Sequence, residues 1–325
     1  MAGAGCWAAE PGLTGGSRPG TLWADVAQDA VIQARDLTKS YGRHRGIEDV
    51  TFDVLPGEVF GFLGPNGAGK TTTIRILMDL IRPTSGGAWI FGLDARERGL
   101  DIRRRVGYLP GELRLYEHMR SEDLFRYLGH LRGGLDWAEV ERLAERLDAD
   151  LDRRVGELSS GNKQKVGLIQ ALMHRSELLI LDEPTGGLDP LIQHEFHGMV
   201  SEAVAEGRTV FLSSHILPEV EALCHRVGII REGRLVAVEE IEALKARAIR
   251  RLEIQFARPV PPEEFANLPG VRDVSTQDSV VRCTVVGALD AVIKAAARFE
   301  VVNVVSHEPG LEEIFLAYYG GADAP

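Results

Sequence analysis

A run of nine residues, Gly64-Pro65-Asn66-Gly67-Ala68-Gly69-Lys70-Thr71-Thr72, limits what this chain can fold into more than any other stretch. It fits the phosphate-binding pattern G-x-x-x-x-G-K-[ST], and its surroundings are the ones that pattern needs. Val59, Phe60, Gly61, Phe62 and Leu63 form an apolar run that reads as a buried strand leading in. Thr73, Ile74, Arg75, Ile76, Leu77 and Met78 open a helix behind it. The glycines allow successive backbone N–H groups to turn inward as an anion nest, and the positive end of the helix points at the same place. Lys70 adds a point charge for β- and γ-phosphates, and the Thr71 hydroxyl can ligate Mg²⁺. The expected ligands are therefore the phosphates of a nucleotide, with Mg²⁺.

Composition narrows the setting. At 325 residues the chain has room for more than one domain, and its 44% apolar and 26% charged residues are ordinary for a globular protein. A net charge of −11 argues against nonspecific nucleic-acid binding, so no nucleic-acid partner is expected. No apolar run reaches the roughly 18 residues that a spanning helix needs. Cys6, Cys224 and Cys283 are widely separated, which reads as reduced thiols without a metal or disulfide role.

Residues 1–29 are rich in Gly, Ala and Pro without periodicity, and a disordered tail is expected there. An α/β unit is expected over residues 30–243. Tyr41, about one hairpin ahead of the phosphate loop, could stack on a nucleotide base or be a core aromatic. Val50, Phe52 and Val54 alternate with polar residues, as in a half-buried antiparallel strand. Pro83–Gly87 reads as a turn before a strand Ala88–Phe91, and Arg103–Arg105 as a solvated helix face. A helical insertion is expected over about residues 112–165. In it Ser121 would cap a helix carrying Leu124, Phe125, Leu128 and Leu131. A second stripe follows at Trp137, Val140, Leu143, Ala144 and Leu147.

Ser159, Ser160 and Gly161 precede a helix whose buried face is Val166, Ile169, Leu172 and Met173. Taken alone, the plainer reading is a well-capped helix; the same residues could form a second anion site. Leu178-Leu179-Ile180-Leu181-Asp182-Glu183 reads as a central parallel strand ending in carboxylates. Asp182 suits the coordination shell of Mg²⁺, and Glu183 is placed to polarise an attacking water. Thr209–Leu212 is a further buried strand, leading to Ser213-Ser214-His215. A lone histidine is more often structural, but this one stands at a strand end, where open α/β sheets bind ligands. Residues 244–325 read as a separate small α+β unit of order β-α-β-β-α-β, ferredoxin-like, with a closing helix Leu311–Tyr319. In it Leu289–Phe299 would be a helix with Val292, Ile293, Ala296 and Phe299 inward, and nothing looks catalytic.

Taken together, these motifs resemble the ATP-binding subunit of an ABC transporter, over about residues 31–243. Gly64–Thr71 is similar to the Walker A motif and Leu178–Glu183 to the Walker B motif. Leu158–Asn162 resembles the signature LSGGQ, Leu188-Asp189 the D-loop, His215 the switch histidine and Tyr41 the adenine-stacking aromatic. The resemblance implies a P-loop ATPase that forms an ATP-dependent head-to-tail homodimer, each signature capping ATP held by the other copy. It implies His215 at the γ-phosphate or attacking water. It also implies an integral membrane permease as partner, and hence a place at the cytoplasmic face of the membrane.

The ending Leu311-Glu312-Glu313-Ile314-Phe315 with Tyr318-Tyr319-Gly320 resembles drug- and antibiotic-type exporters that pair with ABC-2 permeases. Translation-type relatives carry two cassettes in one chain, and repair-type relatives insert a long coiled coil; neither feature is seen in this sequence. An importer subunit, the nearer rival, usually carries a regulatory barrel as its C-terminal extension. The chain departs from the family pattern at Ser160, at Asn162 and at Gly111, where a glutamine normally follows Leu-Pro. Glu112 is expected to take over Mg²⁺ coordination from that glutamine, with Gly111 giving the loop freedom to swing it inward.

Overall fold

A computed structural model describes residues 30–307, apart from 43, 248 and 287. The expectations for 1–29, for the helix Leu311–Tyr319 and for the exporter-like ending Leu311–Gly320 lie outside the described residues.

The apolar runs become the centre of a parallel sheet. In chain order the first strands are β1 (Ile32–Tyr41), β2 (His44–Val54) and β3 (Val59–Leu63), followed by helix α1 (Lys70–Leu77). Then come β4 (Ser85–Ile90), β5 (Leu93–Asp94), α2 (Gly99–Arg105) and β6 (Val106–Leu109). Helices α3 (Ser121–Leu131), α4 (Trp137–Arg146) and α5 (Ser160–Leu172) lead to β7 (Leu178–Asp182). Next are α6 (Pro190–Ala205), β8 (Thr209–Ser214), α7 (Leu217–Leu223), β9 (Arg226–Arg231) and β10 (Arg234–Glu240). One sheet runs β10-β9-β3-β8-β7-β6, parallel throughout except for β10. Every residue of β3, β7 and β8 is buried, as strands covered on both faces require. The register pairs Asp182 with Ser213 and Leu63 with Ser214, so these strands end level and their following loops share one edge.

A second sheet, β2-β1-β4-β5, is antiparallel, and its buried face carries Ile32, Ala34, Val50, Phe52 and Val54. Phe52 seats it on the parallel sheet, with ring centroids 5.6 Å from Phe60 and 5.8 Å from Phe211. Pro83–Gly87 is not simply a turn, because β4 already starts at Ser85. Gly86 sits there at φ 76 beside a register shift, and a Cβ on it would lie 2.2 Å from the Asp36 carbonyl. The glycine marks an irregularity in the ladder.

The helical insertion packs Leu124, Phe125, Val140, Leu143, Ala144 and Leu147 against Val166 and Ile169 of α5. Ser121 does not cap α3: it lies inside the helix, and its hydroxyl donates to the Arg153 carbonyl. The arginine run is only partly a solvated face. Arg105 makes paired 2.7 Å bonds to Glu177, and Arg103 donates to the Met78 carbonyl, while Arg104 stays exposed.

The remaining elements are α8 (Ile241–Arg247), β11 (Ile249–Phe256), α9 (Glu263–Ala266), β12 (Val271–Gln277), β13 (Val280–Val286), α10 (Asp290–Ala296) and β14 (Val301–His307). Strands β12-β13-β11-β14 form an antiparallel sheet with its own core around Leu252, Ile254, Phe256, Phe265 and Val292. Ile293 does not point inward: it is 45% exposed, and Ala295 takes the buried position.

Candidate nucleotide-binding and hydrolytic site

The loop after β3 is shaped by its glycines. Gly67 and Gly69 sit at φ 81 and 112, a region that side-chain-bearing residues rarely enter. A Cβ on Gly69 would also stand 2.5 Å from Ile47. Lys70 begins α1 and is 5% exposed; its Nζ donates to the carbonyls of Gly64 (2.6 Å) and Pro65 (3.3 Å). Ala68 bonds back to the Pro65 carbonyl, which closes the loop. Lys70, Thr71 and Thr72 line a cleft of about 340 Å³ together with Asn66, Gly67 and Gly69. Glu183 lines the same cleft, as do Gly111 and Glu112. The free N–H groups of the first helical turn make such a cleft attractive to anions.

Tyr41 forms another part of the wall. It is 46% exposed, which excludes the core reading, and Gly46 lies against its ring. Lys39 Nζ is 5.2 Å from the ring centre.

Asp182 ends β7 fully buried. Its Oδ1 accepts from the Ser213 hydroxyl at 2.5 Å, while Oδ2 is buried without a hydrogen-bond partner. An unpartnered buried carboxylate oxygen is costly, so this one fits a cation that brings its own charge. Gly111 explains how the oxygen is approached: a Cβ at that position would lie 2.9 Å from Oδ2. Gly111 is not in the left-handed region, and the demand the structure makes on it is this close approach. Glu112 is largely exposed at the cleft, 3.9 Å from Arg114.

Glu183 is held from several directions in a strained backbone conformation, φ 51. Its N–H donates to the Ser213 carbonyl, Oε1 lies 3.0 Å from Lys70 Nζ, and Oε2 lies 2.7 Å from His215 Nδ1. With the carboxylate accepting from Nδ1–H, Nε2 is left for a second partner. His215 is 48% exposed on the side chain. Gln164 of α5 was not legible as a site residue in the sequence. Its amide donates to the carbonyls of Glu183 (3.3 Å) and Pro184 (2.8 Å), steadying this strained turn from the signature helix.

Ser159 caps α5 by accepting from the Asn162 N–H, and Ser159 and Ser160 are exposed. Gly161 abuts the Gly187 carbonyl, within 2.5 Å of a would-be Cβ. Ser159, Ser160 and Gly161 are not brought to the Lys70 cleft of their own chain. Asp189 caps α6, accepting from Leu191 and Ile192.

The family described as ABC transporter matches residues 47–186. A bacitracin transport ATP-binding protein of Bacillus licheniformis is 40% identical over 233 residues, 70% of this chain and 75% of that protein. A Nod factor export ATP-binding protein of Paraburkholderia xenovorans is 35% identical over 302 residues, 90% of this chain and 98% of that one. A solved ATP-binding subunit of an ABC transporter is 34% identical, with TM-score 0.61, over 66% of this chain and 92% of the other. A dimeric cassette in a post-hydrolysis state with ADP and Pi shares the fold at 20% identity and TM-score 0.59, over 65% of this chain and 98% of the other. The chain belongs to the ABC transporter family, as one of its ATP-binding, ATP-hydrolysing subunits.

Proposed function

We propose that this subunit powers export of an antibiotic- or lipid-like compound through a separate permease of the ABC-2 class. The observation that carries the hydrolytic part is Glu183, joined to Lys70 on one oxygen and to His215 on the other at the mouth of the phosphate cleft. Tyr41 stacks on the base; Gly64–Thr72 cradle the phosphates. Thr71 and Asp182 would hold Mg²⁺, and Glu112, on the cleft wall, would be the further carboxylate available to it. Bound Mg²⁺ would supply neutralisation of phosphate charge.

Lys70 exchanges its carboxylate partner for phosphate oxygens, which releases Glu183 Oε1 toward water. Glu183 then accepts a proton from the attacking water, and His215 orients that water or the γ-phosphate through Nε2. Ser159, Ser160 and Gly161 close over nucleotide in a second copy. Their exposure, away from their own chain's cleft, supports a head-to-tail homodimer.

A second hollow, about 250 Å³, supports permease docking and thus a place at the cytoplasmic face of the membrane. It has Met78, Leu128 and exposed Leu131 for apolar contact, with Arg103 and Arg132 at its polar lining. Those residues suit a short amphipathic segment. The relatives named for bacitracin transport and Nod factor export support the cargo class. The test is reconstitution with a permease: ATP-dependent export should require Glu183, and export that persists in Glu183→Gln would sink the reading.

A further inference from the structure

Glu219 is 5% exposed beside the site, and the mechanism above gives it no task. It stands in α7, the helix that leaves the loop carrying His215. The Ser214 hydroxyl donates to its Oε2 at 2.5 Å, and the same hydroxyl oxygen accepts from the Ile216 N–H at 2.9 Å. The carboxyl therefore fixes Ser214, and Ser214 fixes the backbone on the far side of His215. His215 in turn meets Glu183 at 2.7 Å. Oε1 of Glu219 is buried without a well-aligned hydrogen bond, with the Thr185 hydroxyl near the carboxyl. Burial pushes this carboxyl up from its ordinary range; the Ser214 and Thr185 hydroxyls oppose the rise and the Glu183 charge adds to it. Thr185 lies two residues beyond Glu183, so Glu219 sits between the turns that follow β7 and β8.

We propose that Glu219 is a positioning residue for His215, holding the Ser214–Ile216 turn so that the imidazole meets the Glu183 carboxylate. The proposal rests on the roles given above to Glu183 and His215. A hydroxyl bridge to a buried carboxyl sets one turn geometry more tightly than apolar packing would. Losing it should let the imidazole drift from its working position, a displacement that lowers turnover and leaves phosphate binding at Lys70 intact.

The test is steady-state ATP turnover by the full chain, with nucleotide binding followed by thermal shift. Glu219→Ala should lower kcat at least about tenfold and leave KM within about twofold. Glu219→Gln keeps an acceptor for Ser214 and should retain more than about half of the parent kcat. In a His215→Ala background, Glu219→Ala should cost no more than about a further twofold, because both act through one imidazole. A Glu219→Ala turnover near the parent value overturns the proposal, and so does an undiminished loss in the His215→Ala background. If Glu219→Ala does not fold, Ser214→Ala breaks the same link from the other side and is judged by the same outcomes. A parent enzyme indifferent to His215→Ala would instead overturn the underlying roles.

Discussion

Lys70 Nζ lies 3.0 Å from Glu183 Oε1, so the cation of the phosphate loop and the carboxylate after β7 form one ion pair. Lys70 is almost fully buried, and its remaining bonds go to the Gly64 and Pro65 carbonyls. A phosphate entering the loop therefore competes with Glu183 for the same ammonium group. On the role proposed for Glu183, binding would then also free its carboxylate.

Glu183→Gln should still bind Mg-ATP yet turn it over about 10²–10⁴-fold more slowly. Nucleotide binding without turnover favours the closed state, so this variant should accumulate as an ATP-dependent dimer in size-exclusion chromatography. Lys70→Ala should instead lose the nucleotide-dependent thermal shift. Near-parental hydrolysis in Glu183→Gln would refute the assignment.

His215→Ala should reduce kcat about 10²-fold with little change in nucleotide affinity. The imidazole contacts Glu183 rather than the phosphate loop, which is why turnover and not binding should suffer. Parental turnover would return this histidine to a structural role.

Glu112→Ala should raise the Mg²⁺ concentration needed for half-maximal turnover, read from a Mg²⁺ titration at fixed ATP. Gly111→Gln is not expected to restore it, because a Cβ there would crowd Asp182 Oδ2 at 2.9 Å. Gly111→Ala should itself weaken the Mg²⁺ response through the same contact. A Mg²⁺ curve unchanged in Glu112→Ala would leave that loop without a coordinating role.

Truncation near Arg250 removes β12, β13, β14 and most of β11, which share a core of their own. Nucleotide binding by the remaining chain should persist, while association with a second copy or a permease weakens. The checks are thermal shift with ATP and analytical ultracentrifugation. A folded truncation that no longer binds ATP would contradict a purely accessory role.

His174 offers a pH test away from the site. Burial, with the Arg132 charge adding to it, pushes its imidazole down to about 4, and its Nε2 is buried without a hydrogen bond. The unfolded chain therefore binds the extra proton first as pH falls, so this group's contribution is intact above about pH 6.5 and is lost toward pH 4. Urea midpoints should fall across that window, and His174→Gln should flatten the fall.

Much of the nucleotide-binding half was legible because its signals are local. The glycines of Gly64–Gly69 encode backbone angles, and the unbroken apolar runs at Val59–Leu63 and Leu178–Asp182 encode strands covered on both faces. Local rules misread positions whose role depends on a distant partner. Ser121 looked like a cap and instead bonds to Arg153; Gly86 looked like a turn and instead makes room for Asp36. Helix α7 left too short a periodic trace to be noticed, and with it Glu219.

The sequence by itself determined which groups are present and in what order: the phosphate loop, the carboxylates after an apolar strand and the histidine after the next one. Which of them touch was decided only by the tertiary structure. Lys70, Glu183 and His215 are far apart along the chain, and they meet because β3, β8 and β7 lie side by side and end level. Gln164 and Glu219 reach the same place from helices α5 and α7, whose packing on the sheet no spacing rule records. The physical reason is range: backbone angles and burial periodicity are set within a few residues, whereas a hydrogen bond across strands depends on the register of the whole sheet.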